Sequence, residues 1–561
     1  MRRLLLCCCL LFPLIAAAQL GERMANFDLS KIGRVSGNVQ LDAQYYIDDT
    51  IIGTQEVPED FLYNAYAQVN YTAGNFAAGL RYEAYQNPLL GFNRQYSGQG
   101  IANRFVSYRT DDFEVTAGHF YEQFGSGMTL RAYWEPLLGT DNAIDGFMAK
   151  GRILDAISVK GLVGRQRLYW DVAPGIVRGG DLEVSLPALI DSALASKLTF
   201  NIGGSFVSRY LEDDNPELVL PENVAMYGGR FNLGYGKFSL FGEYAQKVND
   251  PAEYNLLFDE FYHYNRGSGM LLSGTYAQRG LGITLSAKRL ENMDFRSARN
   301  ADFAFNEVPI NFLPPLAQQH TYRLQTLYLY ATAPNGELGL QADVVYNIPR
   351  GSALGGKYGM DIDINFSNIF SLKRDTSGLA EDLEYASSEL FTPGDEVYYR
   401  DLNINVTKKL SRKFKMSLMY IWAKVNLELS RIGTGTPTVH TGIFDGYLRM
   451  KKRRSLHIQA QHLYTGEDEG PDGNEGSWAM LMAEYTIAPH WFFAVWDEWN
   501  YGNADPDRRL HYFGGQVGYN FEGTRIAAGY ARQREGIICV GGVCRILPAA
   551  NGATLSISTT F

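Results

Sequence analysis

Only two of the five cysteines lie outside the apolar N-terminal run, and their spacing has a chemical meaning. They occur in Ile538-Cys539-Val540-Gly541-Gly542-Val543-Cys544-Arg545. A two-residue turn at Gly541-Gly542 would pair Val540 with Val543 and set Cys539 opposite Cys544. At a non-hydrogen-bonded antiparallel pair the Cα atoms approach to about 4.5 Å, which suits a disulfide. Without two further ligands nearby, the pair does not make a zinc site. Charged side chains concentrate in His119–Phe147, where Glu122, Arg131, Asp141 and Asp145 stand among glycines and aromatics. Folded inwards, these four would line a polar constriction. The plainer reading is a kinked strand pair, with Gly125, Gly127, Gly139 and Gly146 at bulges or tight bends. Thr465–Gly476 collects Glu467, Asp468, Glu469, Asp472 and Glu475. It lacks the regular ligand spacing of a calcium loop and reads as a solvated acidic loop. Eight histidines are present, but no HExxH, GxSxG or P-loop pattern accompanies them. His457 and His462, five apart in one strand, would point to opposite faces. No cofactor is expected.

The elements that must carry these residues alternate with period two. In Asn38–Ile47, Val39, Leu41, Ala43, Tyr45 and Ile47 share one face, and Asn38, Gln40, Asp42 and Gln44 share the other. Tyr63 to Tyr71 and Ala78 to Ala84 repeat the pattern. It recurs at Leu338–Val344, Ile362–Phe366, Leu402–Val406, Leu456–Ala460 and Phe513–Tyr519. Strict alternation over such lengths predicts strands, not helices. A wall with lipid outside and water inside needs this pattern, with aromatics near the strand ends. Ala553–Phe561 alternates to its last residue, Leu555, Ile557, Thr559 and Phe561 against Thr554, Ser556, Ser558 and Thr560.

Arg2 and Arg3, the apolar run Leu4–Ile15 and Ala16-Ala17-Ala18 mark residues 1–18 as a secretory signal peptide. Its removal would take the net charge from −10 to −12; an acidic chain argues against nucleic acid as a partner. An exported protein permits the disulfide. No later stretch is long and apolar enough for a spanning helix. Connections alternate between short and long. Ala73-Gly74-Asn75, Gly234–Lys237, Pro334-Asn335-Gly336, Lys451–Arg453 and Phe521-Glu522-Gly523 are short. Residues 48–60, 88–100, 209–221, 248–266, 290–319, 425–437, 465–476 and 501–508 are long. Counting predicts one all-β domain over residues 19–561, a large antiparallel transmembrane β-barrel of about 26 strands (range 22–28). Parity fails once: 347–358 and 371–396 are both long, with one clear strand between them. Either 371–396 hides a strand or one long connection lies at the short-turn end.

Two stretches, His119–Phe147 and Ile310–Tyr322 (I-N-F-L-P-P-L-A-Q-Q-H-T-Y), resemble motifs of an uncharacterised family of Bacteroidota outer-membrane β-barrel proteins, a domain of unknown function. That resemblance implies a fold and a location in the bacterial outer membrane, and no activity. Expected partners are outer-membrane lipid, the barrel-assembly machinery, which Phe561 would signal to, and other envelope proteins. The first expectation for function is a passive channel or transport barrel for small polar solutes. Asp42, Glu243, Asp343, Asp361 and Asp363 would make an open pore cation-preferring. The second is a non-conducting structural or interaction barrel of an export or surface machinery. The third is an outer-membrane hydrolase assembled from distant strands. The first strand begins near residue 33, which leaves no room ahead of it for a plug domain.

Overall fold

The computed structural model describes residues 33–190, 197–215, 219–254, 261–299, 301, 306–374, 388–429, 432–540 and 543–561. The expected signal peptide, residues 1–18, lies outside them.

Twenty-four strands form one closed antiparallel sheet, each paired with its neighbours in sequence. The last strand, Ala550–Thr560, pairs with the first, Arg34–Tyr46, from Asn38↔Thr560 to Tyr46↔Gly552. Phe561 completes the seam: its N–H donates to the Gly37 carbonyl at 3.0 Å, and the Gly37 N–H donates back at 2.8 Å. Closure leaves no edge strand with unpaired backbone groups, which a lipid environment would not tolerate.

The alternation sorts the side chains as expected. Leu240, Leu272, Leu285, Leu340 and Phe366 lie exposed on the outer face of five consecutive strands. Trp491 packs against Tyr519, ring centroids 4.7 Å apart, beside Phe521 at one rim. Trp499 and Tyr501 pack at the other. An apolar band between two aromatic girdles is stable in a bilayer and costly in water. The inner face is polar and cross-braced. Asp42 accepts from Ser556, Asp361 from Asn347 and Asp363 from Asn405. Three of the five acids expected to select cations thus have neutral partners on adjacent strands, and Glu243 accepts from the Ser126 N–H at 2.8 Å.

Turns at one end are short. Gly236, at φ +59°, meets nothing within 4 Å of an added Cβ, so backbone conformation and not space calls for glycine there. On the wall, glycine does the opposite job. A Cβ at Gly518 would stand 1.9 Å from the Phe492 ring, and one at Gly514 would stand 2.3 Å from Trp496; the rings fill those notches.

The count of 24 falls within the expected range, and one of the two surplus strands has a clear physical cause. The short connection at Pro334–Gly336 implies a strand over about 320–333. Those residues instead leave the wall: strand Leu281–Glu291 pairs directly with Gly336–Ile348. Parity is restored by the second alternative. Strand Met360–Arg374 pairs with Ser388–Lys409, so 349–359 is a long connection at the short-turn end.

Candidate functional site in the lumen

Two segments leave the wall and fold into the barrel: residues 121–143, the first insert, and the described residues of 292–335, the second.

The first insert follows strand Phe113–Phe120 and turns inwards on two small ladders, Gln123–Phe124 with Leu130–Arg131 and Trp134–Glu135 with Thr140–Asp141. Phe124, Met128 and Leu130 are buried in a cluster with Val177, Val207, Met226 and Ala245 of the wall. Glycines at positive φ, Gly125, Gly127 and Gly139, make the reversals. The insert's own carboxylates dock it. Glu122 forms an ion pair with Lys150 at 2.6 Å and accepts from Lys160 at 2.9 Å. Burial alone would raise its pKa, but the two ammonium groups outweigh burial and hold it below the usual range. Asp141 accepts from Arg167 at 2.5 Å and also from Arg81, and both guanidiniums reach Glu83 at 2.7 Å. The Tyr121 hydroxyl adds a bond to Asp141 at 3.0 Å. Burial opposes ionisation of Asp141, and the two guanidiniums reverse that and lower its pKa. Arg131 stacks over Phe312 of the second insert, 4.0 Å from its centroid.

Asp145 departs from the inward placement expected for it. It is the second residue of strand Ile144–Ile153 and shares parity with Phe147, which is exposed, whereas Met148 and Lys150 face the insert. Asp145 therefore lies on the outward face and pairs with exposed Arg104 at 3.3 Å. Period-two geometry gives the reason: a residue three before Met148 must point away from it.

The sequence pattern of the second insert does not mark it as lumen filling. It is held largely through its backbone. Wall Lys247 donates to the Asp294 carbonyl at 2.5 Å, Arg209 to the Arg296 carbonyl at 2.9 Å and Lys288 to the Pro314 carbonyl at 2.5 Å. On the far wall, the Leu324 N–H donates to Gln461 at 3.0 Å, and Arg323 pairs with Glu498 at 2.5 Å. Between these anchors Leu324, Leu327, Tyr328 and Tyr330 pack on Tyr399, Val425, Leu463 and Trp478. Glu337 forms a fully buried pair with Lys288 at 2.5 Å, and Tyr330 donates to the same carboxylate. His320 is buried beside wall Asn403; burial pushes its pKa down to about 4. The available signal was the length of the segment and its run of leucines and tyrosines.

A hairpin, Gly536–Val540 with Val543–Leu547, covers the inserts. Cys539 and Cys544 are opposite each other and disulfide-bonded, Cα atoms 4.1 Å apart. Arg534, at its base, joins Glu498 at 2.9 Å and donates to the Arg323 carbonyl at 2.6 Å. Acidic loop residues 465–476 bind neighbouring loops: Asp472 N–H donates to the Ile432 carbonyl and Glu475 accepts from Asn503. Among the described residues, no group of three or more His, Cys, Asp or Glu is placed to hold a metal.

The architecture thus defines a large antiparallel β-barrel with self-supplied lumen inserts. The chain belongs to a family of unknown function (DUF6029), matched over residues 1–561. No curated protein matches it in sequence. Among solved structures, the P pilus usher (PapC) translocation pore is similar at 9% identity and TM-score 0.42, over 94% of this chain and 99% of that one. The siderophore receptor PirA from Pseudomonas aeruginosa is similar at 9% identity and TM-score 0.40, over 94% and 81%. OccAB4 from Acinetobacter baumannii is similar at 12% identity and TM-score 0.35, over 74% and 97%. These likenesses are in barrel outline and say nothing about cargo.

Proposed function

We infer that the protein is an outer-membrane barrel of the gated kind, through which small polar solutes pass only when the lumen inserts are displaced. The observation that carries this reading is that both inserts bond to the inner wall, the second reaching from Arg209 to Glu498. The girdled apolar outer face supports the location. A barrel of this size has a lumen that is either water-filled or plugged, and here the chain supplies the filling. The alternative, an interaction barrel that never conducts, draws support from the fully buried wall pair Lys288–Glu337, which holds the second insert through the Pro314 carbonyl and the Tyr330 hydroxyl.

Planar-bilayer recording separates these readings. The intact protein is expected to be silent or to open rarely. Replacing residues 312–330 with a Gly-Ser bridge should produce frequent, larger steps. Steady large steps from the intact protein would overturn gating, and a shortened-insert barrel that assembles and stays silent would favour the non-conducting reading.

A further inference from the structure

The outward pair Asp145–Arg104 belongs to a larger charged patch on the outer face. Neighbouring strands bring it together. The His119 Nδ1 lies 3.3 Å from the Arg104 carbonyl. His119 is opposite Asp145, and Asp145 is opposite Arg165. On the next strand Arg178 is opposite Val163, which puts it diagonal to Arg165 on the same face. Arg104, Arg165 and Arg178 are all exposed. The carboxylate of the patch, Asp145, is engaged by Arg104 at 3.3 Å. Among the described residues, Arg165 and Arg178 meet no carboxylate within 4 Å; the Arg178 guanidinium stands 5.7 Å from the centre of the Tyr210 ring. Arginines inside the barrel differ: Arg81, Arg167, Arg209 and Arg230 each pair with a carboxylate.

Beside the charged row, on its short-turn side, runs an apolar one. Val106 is opposite Ala117, Ala117 opposite Phe147 and Phe147 opposite Val163. Val106, Phe147 and Val163 are exposed, and they continue the apolar outer band. A guanidinium facing acyl chains is costly unless a headgroup reaches it, and the long arginine stem lets it rise to meet one. The patch thus offers unspent positive charge directly next to an apolar strip, the complement of an anionic amphiphile. We propose that it seats one anionic membrane lipid, its phosphate among Arg104, Arg165 and Arg178 and its acyl chains on Val106, Phe147 and Val163. Guanidinium suits phosphate, which it can meet with two parallel hydrogen bonds. The proposal rests on the outer face lying in a bilayer and is independent of gating, because the patch is outside the lumen.

Native mass spectrometry of the full chain in detergent, titrated with phosphatidylglycerol or with phosphatidylcholine of the same chains, reads the first bound lipid. Phosphatidylglycerol is expected to bind about tenfold more tightly. Arg165→Gln/Arg178→Gln should remove that preference and leave phosphatidylcholine unchanged, and Arg178→Gln alone should remove part of it. Lys413→Gln/Lys451→Gln makes the same change in net charge at exposed short-turn residues and should keep the preference. Inorganic phosphate, which has the charge without the chains, should not displace the lipid. Heat-modifiable mobility establishes that each variant is folded. Flotation with phosphatidylcholine vesicles tests the membrane location separately: a folded chain that does not float overturns the location and the proposal with it, and one that floats without lipid preference overturns the proposal alone. An unchanged preference in Arg165→Gln/Arg178→Gln, an equal loss in the lysine control, or displacement by inorganic phosphate would also overturn it. So would a co-purifying protein that Arg165→Gln/Arg178→Gln releases, which would make the patch a protein interface.

Discussion

The two lumen inserts solve the same problem with opposite chemistry. The first brings its own carboxylates, Glu122 and Asp141, to cations on the wall. The second brings mostly backbone carbonyls and apolar side chains, and the wall supplies lysine and arginine donors. A carboxylate docked by two cations is sensitive to acid. A carbonyl docked by a lysine is not, but the lysine must then find a charge partner elsewhere, as Lys288 does in Glu337. The first insert is therefore anchored by its own carboxylates and the second mainly by wall cations on its carbonyls and by packing, with Arg323–Glu498 as its ion pair to the far wall.

The sharpest break in that contrast is at Lys288. Glu337→Leu leaves the lysine buried and uncompensated, which should cost about 3–5 kcal/mol. The double variant Lys288→Met/Glu337→Leu removes both charges and should recover most of the loss, because an apolar pair of similar volume is often neutral or better. Urea unfolding of the purified barrel, followed with protease cleavage within 292–335, reads both. A double variant no more stable than the single would show that the Pro314 carbonyl bond, and not the charge, holds the insert.

How visible each insert is in the sequence follows from the same chemistry. His119–Phe147 announces itself because glycines and acids interrupt the alternation, and three of the four charged residues singled out there face inwards. Asp145 does not, since an interrupted pattern hides which parity resumes when the strand restarts at Ile144. The second insert is nearly silent. A carbonyl at Asp294, Arg296 or Pro314 has no side-chain signature, and its apolar residues resemble a strand when read locally. The barrel itself is far more legible, since every wall residue must face either lipid or lumen and period two records that choice.

The second largest effect belongs to pH. His320 titrates near 4 in the folded chain and near 6.5 when free. Its folded pKa is depressed, so the unfolded state binds the proton first. Stability is full above about pH 6.5 and is lost as pH falls towards 4, by about 3 kcal/mol. Glu122 and Asp141 have depressed pKa values too, but as carboxylates they lose their contribution only as pH falls below about 4.5, the ordinary carboxylate range. Acidification should thus loosen the second insert before the first. Hydrogen exchange at pH 7 and pH 5 measures the order, and His320→Gln should remove the early step. Simultaneous loosening would count against separate anchoring.

Asp141→Asn should act more mildly than Glu337→Leu, at about 1.5–3 kcal/mol, because Glu83 remains within 2.7 Å of both Arg81 and Arg167. Protection of the first insert should fall, with the second little changed.

The smallest expected effect decides whether the two inserts are one unit or two. They touch through the Arg131 N–H to the Ile310 carbonyl at 2.8 Å, the Phe312 N–H to the Gly127 carbonyl at 2.9 Å, and Asn142 to the Pro309 carbonyl at 2.8 Å. Side chains link them too: the Arg131 guanidinium lies on the Phe312 ring, and the Asn306 amide donates to the Tyr133 hydroxyl at 3.1 Å. Arg131→Leu should cost only about 0.5–1 kcal/mol by itself. Its value lies in a double-mutant cycle: Asp141→Asn and Glu337→Leu disturb separate anchors and would add within about 0.5 kcal/mol if the inserts were independent. The shared backbone bonds predict a coupling above that limit, and Arg131→Leu should reduce it. Strict additivity with Arg131 intact would make the inserts two separate plugs, each able to leave the lumen while the other stays.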